Sequence, residues 1–215
     1  MIPVDGDFIL KVAPRFSGKR GAAQTRIVGA LSAVFASTLA DYQINTKLRI
    51  AHFMGQVTHE CAGFRTTEEF ASGAAYEGRR DLGNIHPGDG KRYKGRGLIQ
   101  LTGRANYREI GAKLGLPLEE DPELAAEPVA SLQIACEYWQ SLGINRPADR
   151  DDLIRLTRLV NGGLNGLRIG AIMFAEPNRP WPPSKGSGWP PARVGKPSCC
   201  AGGLSVTRWA SCRNC

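Results

Sequence analysis

Through most of this chain, apolar residues recur at intervals of three and four positions, and glycine or proline marks where each run stops. That spacing places apolar side chains on one face of an α-helix. It predicts helices over residues 22–42 and 46–62, the second opened by Thr46 as N-cap. Further helices are expected from about Arg104 to Leu114, from Val129 to Leu142 and over 146–163. The sequence therefore predicts a mainly α fold, with no more than a small β-hairpin near residues 91–102.

Composition divides the chain into three regions. We assign an N-terminal arm to residues 1–21, a helical domain to 22–167 and an irregular tail to 168–215. The tail holds seven of the 14 prolines and four of the six cysteines, and it lacks sustained periodicity. Such a stretch buries too little apolar surface to offset the entropy lost on ordering. The helical domain is long enough to bury a core without disulfides.

The net charge of +8 belongs mostly to the tail, which has seven basic residues and one acidic residue. The helical domain is close to neutral, which argues against nucleic acid as a partner. No apolar run approaches the roughly 20 residues needed to span a bilayer. The first residues do not form a secretory signal, so we expect synthesis in the cytoplasm.

Cysteine and histidine are too sparse to suggest a metal site. Cys61 and Cys136 stand alone in the helical domain and are expected to be buried thiols. The dipeptide His59-Glu60 lacks the second histidine of the HExxH pattern, which excludes a zinc protease. We predict no metal and no cofactor.

The most informative carboxylate is Glu60, in the last turn of the helix predicted over 46–62. A helix dipole at that end favours the protonated form of a carboxyl group, which is the form that a general acid needs. Glu69 and Glu77 follow in the next loop and could supply a second carboxylate. Two carboxylates facing each other suit glycoside hydrolysis. The alternative is that these are solvated surface charges.

The second informative stretch is YKGRGLIQLTGRANY, residues 93–107. Its glycines allow close approach of a backbone to a ligand. If residues 98–102 are extended, Gln100 and Thr102 share one face and suit sugar hydroxyls, amides or a water. The stretch does not fit a phosphate-binding loop. The alternative is a glycine-rich hairpin whose polar residues only cap the next helix.

Taken together, HECAGF, GDGKRYKGRGLIQLTGRANY and NGGLNG, in this order and spacing, resemble glycoside hydrolase family 19. That family includes chitinases and compact bacterial and phage endolysins, and the resemblance covers roughly residues 25–167. It implies a lysozyme-like, two-lobed helical fold with a central cleft. It also implies endo-acting hydrolysis of β-1,4 links between N-acetylated amino sugars, in chitin or peptidoglycan, with inversion and without a metal.

The resemblance also implies residue roles. Glu60 matches the general acid, Glu69 matches the general base with Glu77 as a rival, and Thr102 matches a residue that helps to hold the attacking water. Because Arg79 and Arg80 flank Glu77, we expect that carboxylate to form a structural ion pair. The residues at sugar-contacting positions are His59, Tyr93, Arg96, Gln100, Asn106, Tyr107 and Asn161.

Other functions stay open at this point. The chain could be a non-catalytic relative that binds cell-wall glycan, or a basic nucleic-acid binder. For the enzyme we expect a monomer that reaches the cell wall after release from the cytoplasm. From Arg168 onward the sequence departs from the family pattern. We interpret the tail either as the product of a frameshift near residue 167 or as a basic segment that binds anionic wall polymer.

Overall fold

The computed structural model describes residues 4–161, in which nine α-helices are joined by loops and short 3₁₀ turns. The helices are α1 Gly6–Val12, α2 Gly18–Ser32, α3 Phe35–Asp41, α4 Lys47–Glu60, α5 Asp89–Arg92, α6 Arg104–Leu114, α7 Pro128–Ser141, α8 Asn145–Asp149 and α9 Leu153–Asn161. The predicted mainly α class is confirmed. The expected tail over 168–215 and the turn over 162–167 lie outside the described residues.

The apolar faces of the helices meet around α7. This helix packs against α2, α3 and α6, while α4 packs against α8 and α9. At the centre, Phe53 of α4 makes edge-to-face contacts with Phe35 and Trp139, with ring centroids 6.4 and 5.3 Å apart. All three rings are fully buried, so the core fixes the orientation of α4 along its length.

The N-terminal region belongs to the same folded body. The α1 helix packs on α2 and buries Ile9 completely. The α2 helix begins at Gly18, so the expected boundary between residues 21 and 22 falls inside a helix. The helix expected over 22–42 is divided, because Ala33 and Val34 interrupt it between α2 and α3. The sequence pattern missed this break because the apolar spacing continues through it.

The helix expected over 146–163 is also divided. Asp151 adopts a φ of 53°, a left-handed conformation that ends helical propagation. The Asp152 side chain then accepts a hydrogen bond from the backbone N of Arg155 at 3.0 Å and caps the start of α9. Asp151 and Asp152 therefore separate α8 from α9.

The hairpin expected near residues 91–102 is reduced to single bridges. Arg96 and Leu101 exchange two backbone hydrogen bonds, at 3.0 and 2.7 Å, across a turn over 97–100. Arg96 also forms a bridge with Glu68. Within residues 4–161, no helix is long and apolar enough to cross a membrane.

Candidate active site

Glu60 is the last residue of α4 and is half-buried. The α4 helix begins where predicted, with the Thr46 side chain accepting from the backbone N of Arg49 at 3.3 Å. Its buried face includes Phe53 and Val57, which anchor it in the core. A helix held at one end by a cap and along one face by packing presents its last residue at a fixed place.

The turn after Glu60 is unusual in its backbone conformation. Ala62, Gly63 and Phe64 have φ angles of 51°, 76° and 62°, all in the left-handed region. A residue other than glycine adopts that region at a cost of about 1–3 kcal/mol. The surrounding contacts must therefore hold the turn in place.

A buried glutamine forms a hydrogen bond with this turn. The Gln24 side chain of α2 donates to the carbonyl oxygens of Pro14 and Gly63, at 2.8 and 2.7 Å. The backbone N of Phe64 donates to the Cys61 sulfur at 3.1 Å. Burial raises the pKa of the Cys61 thiol to about 12, so the sulfur stays protonated at neutral pH. Cys61 and Cys136 are free and buried, as predicted.

Glu69 lies on a loop pinned to the segment around Gly95. The backbone N of Glu69 donates to the Gly95 carbonyl at 2.9 Å, and the backbone N of Gly97 donates to the Thr67 carbonyl at 2.6 Å. The Glu69 carboxylate accepts from the Gly95 backbone N at 2.9 Å and from the Tyr76 hydroxyl at 3.0 Å. Two donors thus orient this carboxylate.

Glu69, Gln100 and Thr102 converge on Gly95. A β-carbon added at Gly95 would lie 3.1 Å from Gln100 Oε1 and 3.3 Å from both Glu69 Cδ and Thr102 Oγ1. Because both atoms lie 3.3 Å from the same point, the Glu69 carboxyl carbon and the Thr102 hydroxyl oxygen are separated by at most twice 3.3 Å. Gln100 and Thr102, which were expected to lie together, both lie near Gly95, and the Glu69 carboxylate lies there too.

The local backbone explains how Gln100 and Thr102 reach this point. Gln100 adopts a φ of 57°, and its amide donates to the Gly97 carbonyl at 2.9 Å. The Thr102 hydroxyl donates to the Gln100 carbonyl at 2.9 Å. Because the Thr102 hydroxyl proton is used in this hydrogen bond, the Thr102 oxygen can act only as an acceptor toward a water molecule. We expected an extended strand, but a tight turn brings the two side chains together.

The Glu77 carboxylate has different partners from that of Glu69. Its two carboxylate oxygens accept from the backbone N of Gly88 at 2.6 Å and of Gly90 at 2.8 Å. These bonds hold the loop that leads into α5. Arg79, one of the two arginines expected to pair with Glu77, pairs with Asp81 at 2.7 Å.

Three residues expected to contact sugar lie in the interior. Arg96, Tyr93 and Tyr107 are 4%, 2% and 0% exposed. The Tyr93 hydroxyl donates to the Glu119 carbonyl at 2.9 Å, and the Tyr107 hydroxyl donates to the Lys94 carbonyl at 2.6 Å. Burial raises the pKa of Tyr107, which keeps this donor protonated. These contacts show a structural role for the three side chains, while Thr102 and Gln100 are also buried, at 2% and 9% exposed. Burial alone therefore does not separate the two groups, and sugar contact by Arg96, Tyr93 and Tyr107 stays a prediction.

Arg96 positions the loop that carries Glu69. Its guanidinium donates to the Arg92 carbonyl at 2.7 Å and lies 3.3 Å from Glu68 Oε1 and 3.2 Å from Glu123 Oε1. Glu68 also pairs with Lys94 at 3.1 Å. The residue before Glu69 is thus held by two cations.

The remaining predicted site residues are placed as follows. His59 is half-buried next to Glu60, and Asn106 is half-buried with its amide donating to the Thr102 carbonyl at 2.6 Å. Asn161 ends α9, and its side chain lies outside what the structure describes. Among the described residues, no group of His, Cys, Asp or Glu could hold a metal ion.

Sequence reasoning missed Tyr76. Its hydroxyl donates to Glu69, but it lies seven residues away at the end of the short 3₁₀ turn Ala74–Tyr76, where the sequence has no periodic apolar pattern.

The chain matches one family model and several known proteins. The family model described as chitinase class I matches residues 24–156. A glycosyl hydrolase family 19 domain-containing protein of Haemophilus influenzae is 35% identical over 46% of this chain and 48% of its own length. An endochitinase of Arabidopsis thaliana is 38% identical over 59% of this chain and 44% of its own length. The chain thus spans about half the length of these curated relatives.

Solved structures share the fold. Chitinase C from Streptomyces griseus superposes with a TM-score of 0.57 and 22% identity, covering 81% of this chain and 74% of that one. A class IV chitinase from Zea mays gives a TM-score of 0.55 and 22% identity, covering 83% and 94%.

Proposed function

Since the chain belongs to glycoside hydrolase family 19, with its lysozyme-like helical fold, we propose that it hydrolyses β-1,4 links between N-acetylated amino sugars. The observation that carries this proposal is the convergence of Glu69, Gln100 and Thr102 on Gly95. A carboxylate, an amide and a hydroxyl around one glycine provide a base and two polar groups for a water and a sugar.

In the proposed mechanism Glu60 is the general acid. It donates a proton to the oxygen of the breaking glycosidic bond, so the departing sugar leaves as a neutral alcohol. Its place as the half-buried last residue of α4 holds it at a fixed position for this transfer.

Glu69 is the proposed general base. The attacking water gives one proton to the Glu69 carboxylate and donates its second hydrogen to the Thr102 oxygen, which is free to accept. Because Glu69 and Thr102 hold both hydrogens of the water, a lone pair of the water oxygen faces the anomeric carbon of the sugar. Attack from the side opposite the leaving group inverts the configuration at that carbon. Inversion needs a separation of roughly 6.5–9.5 Å between the two carboxyl groups, which leaves room for the water.

Chitin and peptidoglycan both contain the proposed linkage. The named relatives include endochitinases, so chitin oligomers are the first substrate to test. Because polymers of this kind occur in cell walls, we propose that the protein acts there.

The test is hydrolysis of soluble chitin oligomers and of peptidoglycan strands by the full chain. Proton NMR at early times should show the α-anomer as the first product from a β-linked substrate. A β-anomer as first product would overturn the inverting mechanism. Binding without cleavage of either glycan would show a non-catalytic relative.

A further inference from the structure

Phe70 is the residue that the proposed chemistry leaves unexplained. It directly follows Glu69, and its side chain is 78% exposed. Among the described residues it is the most exposed large apolar side chain; the next, Ile85, is 64% exposed. A single exposed apolar residue is common, so exposure alone does not identify a site. Phe70 also contacts a cation that contacts a second aromatic ring.

Arg65 connects Phe70 to the N-terminal part of the chain. Its guanidinium carbon lies 5.4 Å from the centre of the Phe70 ring and 5.6 Å from that of Phe16. Contact with aromatic rings occupies the faces of a guanidinium and leaves the N–H groups at its edge for an anion. Phe16 also packs beside the turn after Glu60, because a β-carbon at Gly63 would lie 3.1 Å from the Phe16 ring.

Phe16 lies within a segment that carries only positive charge. Between Asp7 and Asp41 the sequence contains no acidic residue. The five cations there are all exposed, and none forms an ion pair with a described residue: Lys11, Arg15, Lys19, Arg20 and Arg26. We call residues 11–26 the basic segment. Exposed cations without an acidic partner attract a polyanion.

We propose that Phe70, Arg65 and the basic segment form a binding surface for a glycan that carries carboxylate groups. The exposed ring of Phe70 offers an apolar face to a pyranose ring, and Arg65 offers a planar donor to a carboxylate beside it. The basic segment extends this attraction to further carboxylates along the strand. Peptidoglycan fits this chemistry, since its lactyl groups and stem peptides bear carboxylates, whereas chitin is neutral.

This inference rests on the proposed function for the identity of the glycan backbone, but it is tested by binding. The background is the full chain with Glu60→Gln, which is expected to slow cleavage enough for binding to be measured. Four probes are titrated: soluble peptidoglycan strands, the same strands with their carboxylates converted to amides, chitin hexamer and single-stranded DNA. The amidated strands match the native strands in everything except charge.

The expected result is tighter binding of native strands than of amidated strands, by about tenfold or more at low salt, with the difference falling as salt rises. Phe70→Ala should weaken binding of all three glycans by about fivefold or more. Arg65→Gln should weaken binding of native strands only. The matched controls Ile85→Ala, at the next most exposed apolar residue, and Lys91→Gln, at an exposed lysine outside the basic segment, should change nothing.

Equal binding of native and amidated strands would overturn the proposal, as would DNA binding stronger than glycan binding. The proposed hydrolase function is tested separately, by cleavage and not by binding. If the chain with Glu60 intact cleaves no glycan but the binding pattern holds, the surface stands and the hydrolase proposal fails. If cleavage occurs without this pattern, the reverse applies.

Discussion

Glu69 and Gly95 are joined twice: the Gly95 backbone N donates to the Glu69 carboxylate at 2.9 Å, and the Glu69 backbone N donates to the Gly95 carbonyl at 2.9 Å. The first bond orients the side chain and the second holds the main chain that carries it. The proposed base is therefore fixed at both ends by one glycine. That glycine is also the point on which Gln100 and Thr102 converge.

Replacing Gly95 by alanine should therefore damage the site without unfolding the protein. The new β-carbon would meet three polar side chains at 3.1–3.3 Å, and these must shift to accommodate it. We expect hydrolysis to fall by about 10²-fold, since small misplacements of catalytic groups have effects of that size. Gly29→Ala is the matched control, because its β-carbon would meet nothing within 4 Å. A rate for Gly95→Ala equal to that of the control would contradict the site.

Glu60→Gln should lower hydrolysis by about 10²–10⁴-fold and leave the melting temperature near wild type. The amide is similar in size but cannot donate an acidic proton to the leaving oxygen. Steady-state rates on soluble oligomers and a thermal melt together check this. Glu120→Gln, at an exposed carboxylate, is the control and should keep full activity. Activity of Glu60→Gln within threefold of wild type would remove Glu60 from the mechanism.

Glu69→Ala should be comparably inactive and should respond to azide. Removing the carboxylate opens space beside Thr102 for a small anion that needs no base. Azide should then restore turnover and give a glycosyl azide of inverted configuration, which mass spectrometry and NMR identify. Rescue of Glu77→Ala instead, with Glu69→Ala active without azide, would exchange the two roles.

Glu77→Gln should lose stability and retain its rate per folded molecule. Both carboxylate oxygens accept backbone N–H groups, of Gly88 and Gly90, and an amide can satisfy only one of them. One backbone donor is left facing an NH₂ group, at a cost of about 1–2 kcal/mol in unfolding free energy. Denaturant titration measures the loss, and active-site-normalised kinetics test the rate.

Stability should also depend on Glu119 in acid. Hydrogen bonds from Arg108 and Arg104 lower the pKa of Glu119 to about 2, from an ordinary value of 4.5. A carboxyl whose pKa is lower in the folded state stabilises the fold above its unfolded pKa, and this contribution is lost as pH falls from about 4.5 to about 2. Glu119→Gln should thus cost roughly 1–2 kcal/mol at pH 7 and progressively less below pH 4.5. A cost that does not change with pH would show that the charge is not the cause.

The elements that could be predicted from sequence were those with local signals at both ends. The helix Arg104–Leu114 lies between Gly103 and Gly115, and its observed bounds match the predicted ones. The α4 helix has a side-chain cap at Thr46 and a glycine turn after it. In contrast, the breaks at Val34 and Asp151 depend on backbone conformations that leave the apolar spacing intact.

The candidate site was also predictable from the sequence only in part. Glu69, Gln100 and Thr102 were identified as motif residues, and the structure groups them. The hydroxyl of Tyr76 and the burial of Arg96 and Tyr107 could not be predicted, because they depend on how separate loops fold against each other. A glycine-rich motif marks a region of close approach, but not which of its polar side chains face inward.

The single side chain of Gln24 has a practical consequence for anyone who shortens this protein. A version beginning at residue 22, where composition alone would place the start of the domain, keeps the glutamine but lacks Pro14, one of its two acceptors. It also lacks Phe16, which packs beside Gly63. The left-handed turn behind Glu60 would then lose support from one side, so trimming a segment remote in sequence should loosen the proposed acid.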